Sequence, residues 1–324
     1  MRSVTRLFPA RSPRTTACAA LLTLASLLVA SLTSVAATER SAAAIEKERG
    51  FIQVLKSDAP PAEKAITCKR LAVYGSAEAV PALAPMLTDE RLSSWARIAL
   101  EAIPGPEADN ALRQALGQTQ GRLLIGVINS IGVRRDPNAV DGLAEKLAQP
   151  DAEVASAAAY ALGRIGGDPA ARVLAKSLES APAAVRPAVA EGCVLCAENY
   201  RVAGKTAEAT RLFDAVRKAS VPKQRILEAT RGAILSRQSA GLPLLLEQLR
   251  AADWELFGIG LRTARELPGG DVTKALAAEL GKCPADRQAP LLLALADRRD
   301  PAVLPAIRDL ARTGPAALRT VAVG

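Results

Sequence analysis

There is no histidine anywhere in the 324 residues. That removes nucleophiles activated through imidazole, most zinc sites and any haem held by an axial His. Aromatic residues make up 3% of the chain, too few for a large aromatic-lined pocket or for the core of a β-sandwich. Cysteine is sparse. Of five residues, Cys68, Cys193, Cys196 and Cys283 lie beyond the first forty positions, and their spacing is not that of a disulfide-stapled scaffold. No apolar run reaches the roughly 20 residues that a membrane-crossing helix needs.

The longest apolar stretch, Ala19 to Leu32, belongs instead to a leader. Arg2, Arg6, Arg11 and Arg14 precede it, and the small residues Val35, Ala36 and Ala37 follow it. A basic segment, a short apolar run and an A-x-A-like site describe a cleaved secretory signal over residues 1–37. Cys18 lies before the run, so no lipoprotein box closes it. The chain is therefore expected to be exported, periplasmic or secreted, with no membrane attachment after cleavage. The whole chain carries +9, from 42 basic and 33 acidic residues. Without the four leader arginines the balance is about +5, too mild for a nucleic-acid footprint.

What is present in abundance is Ala, Leu and a repeat. In Asp151 to Ser180, a first helix carries Val154, Ala158, Ala161, Leu162 and Ile165 at helical spacing and stops at Gly166-Gly167. A second helix then presents Val173, Leu174 and Leu178, entered through Asp168-Pro169 as N-cap and first helical position. Equivalent second-helix positions recur at Leu83, Leu112, Leu143, Leu174, Phe213, Leu245, Leu276 and Ile307, about thirty-one residues apart. Six of the eight have another Leu four residues on, on the same helix face. Asp136-Pro137 and Asp300-Pro301 repeat the capping pair, while Ser76, Ser239 and Asp271 are expected to cap without the proline. Pro81, Pro243 and Pro305 recur two residues before the core position, early enough in a helix to be tolerated. Such a hairpin cannot bury its apolar face alone, so the copies must stack.

These residues resemble the HEAT-repeat family, and most of all its short variety first described in phycobilisome lyases. The pattern D-x-x-V-x-x-x-A-x-x-A-L-G-x-I-G-D-x-x-A stands at Asp151 to Ala171 with one extra Gly. The resemblance spans about residues 60–324. It implies an all-α solenoid, a right-handed superhelix of about eight hairpins, and a binding scaffold whose concave face is lined by second helices. It carries over no lyase residue. Residues 38–59 contain a capping helix, with Ile45, Ile52, Val54 and Leu55 facing the first repeat and Glu46, Lys47, Glu48 and Arg49 facing water. The unit with 39-residue spacing, whose second half runs from Ala197 to Phe213, places Tyr200, Gly204, Ala209 and Phe213 as a tetratricopeptide repeat would, and reads equally as a HEAT repeat with a lengthened first helix. A longer hairpin and a local change of curvature are expected there. Pro315 opens a further first helix, which reads as a ninth repeat cut short. That reading leaves Leu292, Leu295, Ile307 and Leu310 partly bare and the last unit loose.

Few residues are arranged for chemistry. Cys193-Val-Leu-Cys196 is followed by Ala197, where a c-type haem site needs His. The pair lies inside a helix and reads as two small core residues one turn apart. Gly163, Gly166 and Gly167 follow a helix, so they are helix stops and not a phosphate loop. No catalytic residue, metal site or cofactor is implied. One surface feature remains: Arg134-Arg135 and Arg298-Arg299 occupy matching places before Asp-Pro caps, with Arg164 near the same turn of the central unit. They either complement helix C-termini or form a basic ridge for an acidic partner, a polysaccharide or another anion. The leading functional expectation is a non-catalytic exported scaffold that holds a protein partner. The alternative is an accessory module of a longer redox or sugar-active exported enzyme whose catalytic domain lies beyond Gly324.

Overall fold

A computed structural model describes residues 41–323; the leader expected at 1–37 lies outside the described residues. Helix α1 (Ala42–Lys56) leads into eight successive hairpins. The first four are α2 (Pro61–Tyr74) with α3 (Val80–Leu83), α4 (Ser93–Ala102) with α5 (Pro106–Gln118), α6 (Gly121–Arg134) with α7 (Val140–Leu147), and α8 (Ala152–Ile165) with α9 (Gly167–Ser180). The next four are α10 (Arg186–Val202) with α11 (Thr206–Lys218), α12 (Lys223–Ser236) with α13 (Leu242–Arg250), α14 (Trp254–Glu266) with α15 (Gly270–Leu280), and α16 (Ala285–Asp297) with α17 (Leu304–Thr313). Helix α18 (Ala316–Val323) follows. Each first helix packs on the first helix of the next hairpin, so the chain is an all-α solenoid.

The recurring apolar positions make the core. Leu83, Leu112, Leu143, Leu174, Phe213, Leu245 and Leu276 are all fully buried. Their i+4 partners Leu87, Leu116, Leu147, Leu178, Leu249 and Leu280 are buried as well. Each such side chain contributes about 1.5–3 kcal/mol relative to exposure. The buried residues fall into two clusters, one from Ile52 to Ala233 and one from Ile234 to Leu318, with Leu244 packed against both.

Side-chain caps mark where some of the helices begin. The Asp151 carboxylate accepts from the Glu153 and Val154 amides at 2.9 and 3.2 Å, and Asp253 does the same for Glu255 and Leu256. Ser76, Asp136 and Asp300 cap as expected, each opening a short 3-10 turn that leads into the second helix. Asp168, Ser239 and Asp271 do not. Gly166 and Gly269, at φ 70° and 113°, take the cap positions of α9 and α15, a conformation that costs glycine little. Ser239 falls inside the 3-10 turn Gln238–Gly241.

Two further expectations change. Glu48 does not face water: it is completely buried and accepts from the Ser76 hydroxyl at 2.9 Å and from the Ser76 amide. Helix α1 thus joins the first repeat through the Glu48 carboxyl at the start of a 3-10 turn as well as through Ile52 and Leu55. Leu292 and Leu295 are buried, because α18 packs on α16 and α17. Helix α17, by contrast, buries none of its residues completely, and Ile307 and Leu310 are half-buried. In the irregular unit, α10 runs for 17 residues and Gly204 makes the turn at φ 74°.

Helices α8 and α10 meet backbone to backbone. A Cβ on Gly163 would lie 2.6 Å from the Cα of Gly192, and one on Gly192 would lie 2.5 Å from the Ala159 carbonyl oxygen. Both glycines are therefore required by this crossing and have no turn to make.

Candidate binding surface

The five candidate arginines divide by where their guanidinium groups end. The side chain of Arg134 is 9% exposed and turns inward. It donates to the carbonyls of Leu100 at 2.7 Å, Ile103 at 2.6 Å and Gly105 at 2.9 Å, and pairs with Asp109. Those carbonyls belong to the C-terminal end of α4 and the loop after it, which have no helical partners of their own. Arg298 repeats the device 164 residues later. It donates to the carbonyls of Ala264, Leu267 and Gly269, and to the Thr273 hydroxyl where Asp109 stands in the earlier copy. Burial lowers the Arg298 pKa, with Asp300 opposing that shift. Arg164 donates to the Gly132 carbonyl at 3.2 Å and lies over the Tyr160 ring at 5.9 Å.

Three of the five side chains thus bind the C-terminal carbonyls of the preceding first helix. Arg135 and Arg299 are exposed instead, each at a left-handed position with φ 55° and 52°. What reaches solvent is two separated cations, and the matching sequence register reflects a repeated helix cap.

A groove of about 340 Å³ lies on the second-helix side of the irregular unit, between α9 and α11 with Tyr200 of α10 at its end. Ala171, Ala175, Leu212 and Ala215 supply apolar walls, and Arg172, Glu208 and Arg211 supply charge of both signs. The Tyr200 hydroxyl donates to Asp168 at 2.7 Å, and Lys205 approaches the same carboxylate at 3.5 Å. The Tyr200 bond first, and Lys205 second, hold the Asp168 carboxyl below its ordinary range. Burial, and then that same carboxylate, push the Tyr200 hydroxyl well above its ordinary value. A phenol and a carboxylate moved apart in this way stay protonated and ionised respectively at neutral pH. They fix the rim of a recognition surface and exchange no proton there.

This groove was not legible as a site in the sequence. Tyr200 stood out only as an aromatic at a repeat position, and Asp168 as a cap. The available signal was the 39-residue spacing, which separates α9 from α11 by a longer α10.

Cys193 and Cys196 are completely buried. Burial pushes the Cys193 thiol well up and the Cys196 thiol up to about 12. The Cys196 Sγ lies 3.8 Å from the Leu162 and Gly163 carbonyl oxygens, across the close α8–α10 crossing. Such thiols are packing groups. Among the described residues, no three His, Cys, Asp or Glu side chains are placed to hold a metal ion, and no helix is long and apolar enough to cross a membrane.

The HEAT-repeat family profile matches residues 122–192, from the start of α6 into α10. None of the curated proteins matches the chain. Among solved structures, an engineered protein is similar at 19% identity and a TM-score of 0.37, covering 84% of this chain and 86% of its own. Human deoxyhypusine hydroxylase in complex with glycerol is similar at 20% identity and a TM-score of 0.36, covering 76% of this chain and 94% of its own. The complex of CpcE and CpcF of phycocyanin lyase from Nostoc sp. PCC7120 is similar at 19% identity and a TM-score of 0.33, covering 80% and 91%. Residues 122–192 match the HEAT-repeat model, and they are set within an all-α HEAT-like solenoid.

Proposed function

We propose that this chain is an exported, non-catalytic scaffold that holds a protein partner along its second-helix face, centred on the groove between α9 and α11. The observation that carries the reading is the pairing of small apolar walls with a fixed charged rim. Ala171, Ala175 and Ala215 leave room for a partner side chain, while Asp168, Arg172 and Arg211 offer polar contacts at the edge. An apolar pocket ringed by a few oriented polar groups is the general form of a recognition site. The neighbouring structure keeps the rim in place, since Tyr200 is itself almost buried. Cleavage near Ala37 belongs to the same reading, and the exported protein is expected to begin within a few residues of Thr38.

A photo-crosslinking residue placed at Ala175 tests the docking site in the leaderless protein, with one at the 80% exposed Val202 as control. The expected result is one protein crosslinked from position 175, identified by mass spectrometry and competed away by unlabelled chain. No crosslink at 175, or the same products from both positions, would refute it.

A further inference from the structure

A second cavity, of about 580 Å³, opens on the first-helix side between the N-terminal ends of α4 and α6. Glu90, Ser93, Ser94 and Arg97 line one flank, and Gln120 and Arg122 the other. No side chain caps α6 at Gln120, whereas at the start of α4 the Asp89 carboxylate accepts from the Arg91 and Leu92 amides. The first-turn amides of α6, at the positive end of its dipole, therefore border this space.

The side chains in the cavity are left short of acceptors. Ser93 is 3% exposed and its Oγ has no hydrogen-bond partner. Arg97 lies against Gly126, where a Cβ would come within 2.8 Å of its Cζ and Nε. Its Nη1 donates to the Gly126 carbonyl at 3.1 Å and to the Ser130 hydroxyl at 3.2 Å, while its buried Nε has no partner. Burial lowers the pKa of this guanidinium, and Glu101 offsets that only in part. Glu101 also accepts from the Ser130 hydroxyl at 2.6 Å. Buried donors without acceptors are uncommon in native proteins and call for an explanation.

We propose that this cavity binds a phosphate-type oxyanion, either free or as the terminal group of a small phosphoester. The amino end of α6, the Ser94 hydroxyl and the Arg97 and Arg122 side chains line the cavity, and the unpartnered Ser93 hydroxyl and Arg97 Nε lie buried in its wall, a donor-rich set that suits an oxyanion. Of the lining side chains Arg97 and Arg122 are cationic and Glu90 is anionic, while Glu101 offsets Arg97 from behind and Asp89 caps the turn before α4. The space exceeds what a bare phosphate fills, so an organic body fits beside it. Gly126 is the residue that makes the arrangement possible, by letting the Arg97 guanidinium lie flat on α6.

Titration calorimetry on the full chain at low salt tests this, with inorganic phosphate in one arm and glycerol 3-phosphate in the other. Saturable one-site binding is expected. Arg122→Gln should weaken it at least fivefold while leaving the thermal midpoint unchanged, because Arg122 is exposed. Ser93→Ala should weaken it roughly tenfold without lowering the midpoint of the free protein, since its hydroxyl has no partner there. A serine with a merely structural role would do the reverse. Equal affinity in both arms identifies the free anion as the ligand, and tighter glycerol 3-phosphate identifies a phosphoester. Absence of saturable binding in both arms, or binding that Arg122→Gln leaves unchanged, overturns the proposal.

Discussion

Replacing Arg134 by Met keeps the aliphatic stem and removes the group that closes α4. Three carbonyl hydrogen bonds from a cation are lost, to Leu100, Ile103 and Gly105. Charged hydrogen bonds of this kind are worth about 1.5–3 kcal/mol each when the remaining partner stays buried. Leu100 and Ile103 are buried residues, whereas Gly105 is exposed and its carbonyl regains water. Asp109, about one quarter exposed, is also rehydrated in part. The expected cost is about 3–4 kcal/mol, within the range for breaking one half of a buried charged contact. Arg135→Met, one residue away, should stay within about 0.5 kcal/mol, because that side chain is exposed.

A solenoid of this length need not unfold in one step, so a single melting temperature can hide a local loss. Native-state hydrogen exchange is the direct assay: amides at the ends of α4 and α6 should lose protection in Arg134→Met, while those of α14 do not. Arg298→Met should show the mirror result, at α14 and not at α4. Equal, small effects from Arg134→Met and Arg135→Met would refute the cap and return both residues to the surface as free cations.

Two other perturbations follow from the same packing. Gly163→Ala or Gly192→Ala forces a methyl to within 2.6 or 2.5 Å of backbone that cannot yield, so each should destabilise by about 3 kcal/mol or more, read as a lowered urea midpoint. Cys193→Ala with Cys196→Ala should cost about 1–2 kcal/mol of packing, and neither native thiol should react with a thiol reagent at pH 8. Both thiols titrate higher folded than unfolded, so they favour the fold below the free-thiol range. That contribution declines as pH rises from about 9 toward 12, and a flat stability profile there would refute it.

Much of the fold was legible because it depends on local periodicity. Leu83, Leu112 and Leu143 announce their burial by recurring in register, and Asp136 and Asp300 announce caps because a carboxylate two residues before an amide needs no distant partner. Asp168 looked the same on paper. It became the acceptor of Tyr200 because Gly166 and Gly167 admit a left-handed entry into α9, which moves the cap off the aspartate. Arg134 and Arg298 were legible as a repeated pair, but their direction was not. Which way a long side chain turns depends on whether unsatisfied carbonyls of another hairpin lie within reach.

By itself, then, the sequence determined the kind of element, the number of hairpins and the face each helix buries, because those follow from spacing along one helix. Only the tertiary structure decided the contacts between hairpins: the α8–α10 crossing over two glycines, the burial of Glu48 beneath Ser76, the groove between α9 and α11, and the cavity between α4 and α6. Each depends on how far one hairpin is rotated and shifted on the next. That geometry is set by which side chains are absent at the contact as much as by those present, and a one-dimensional pattern does not carry it.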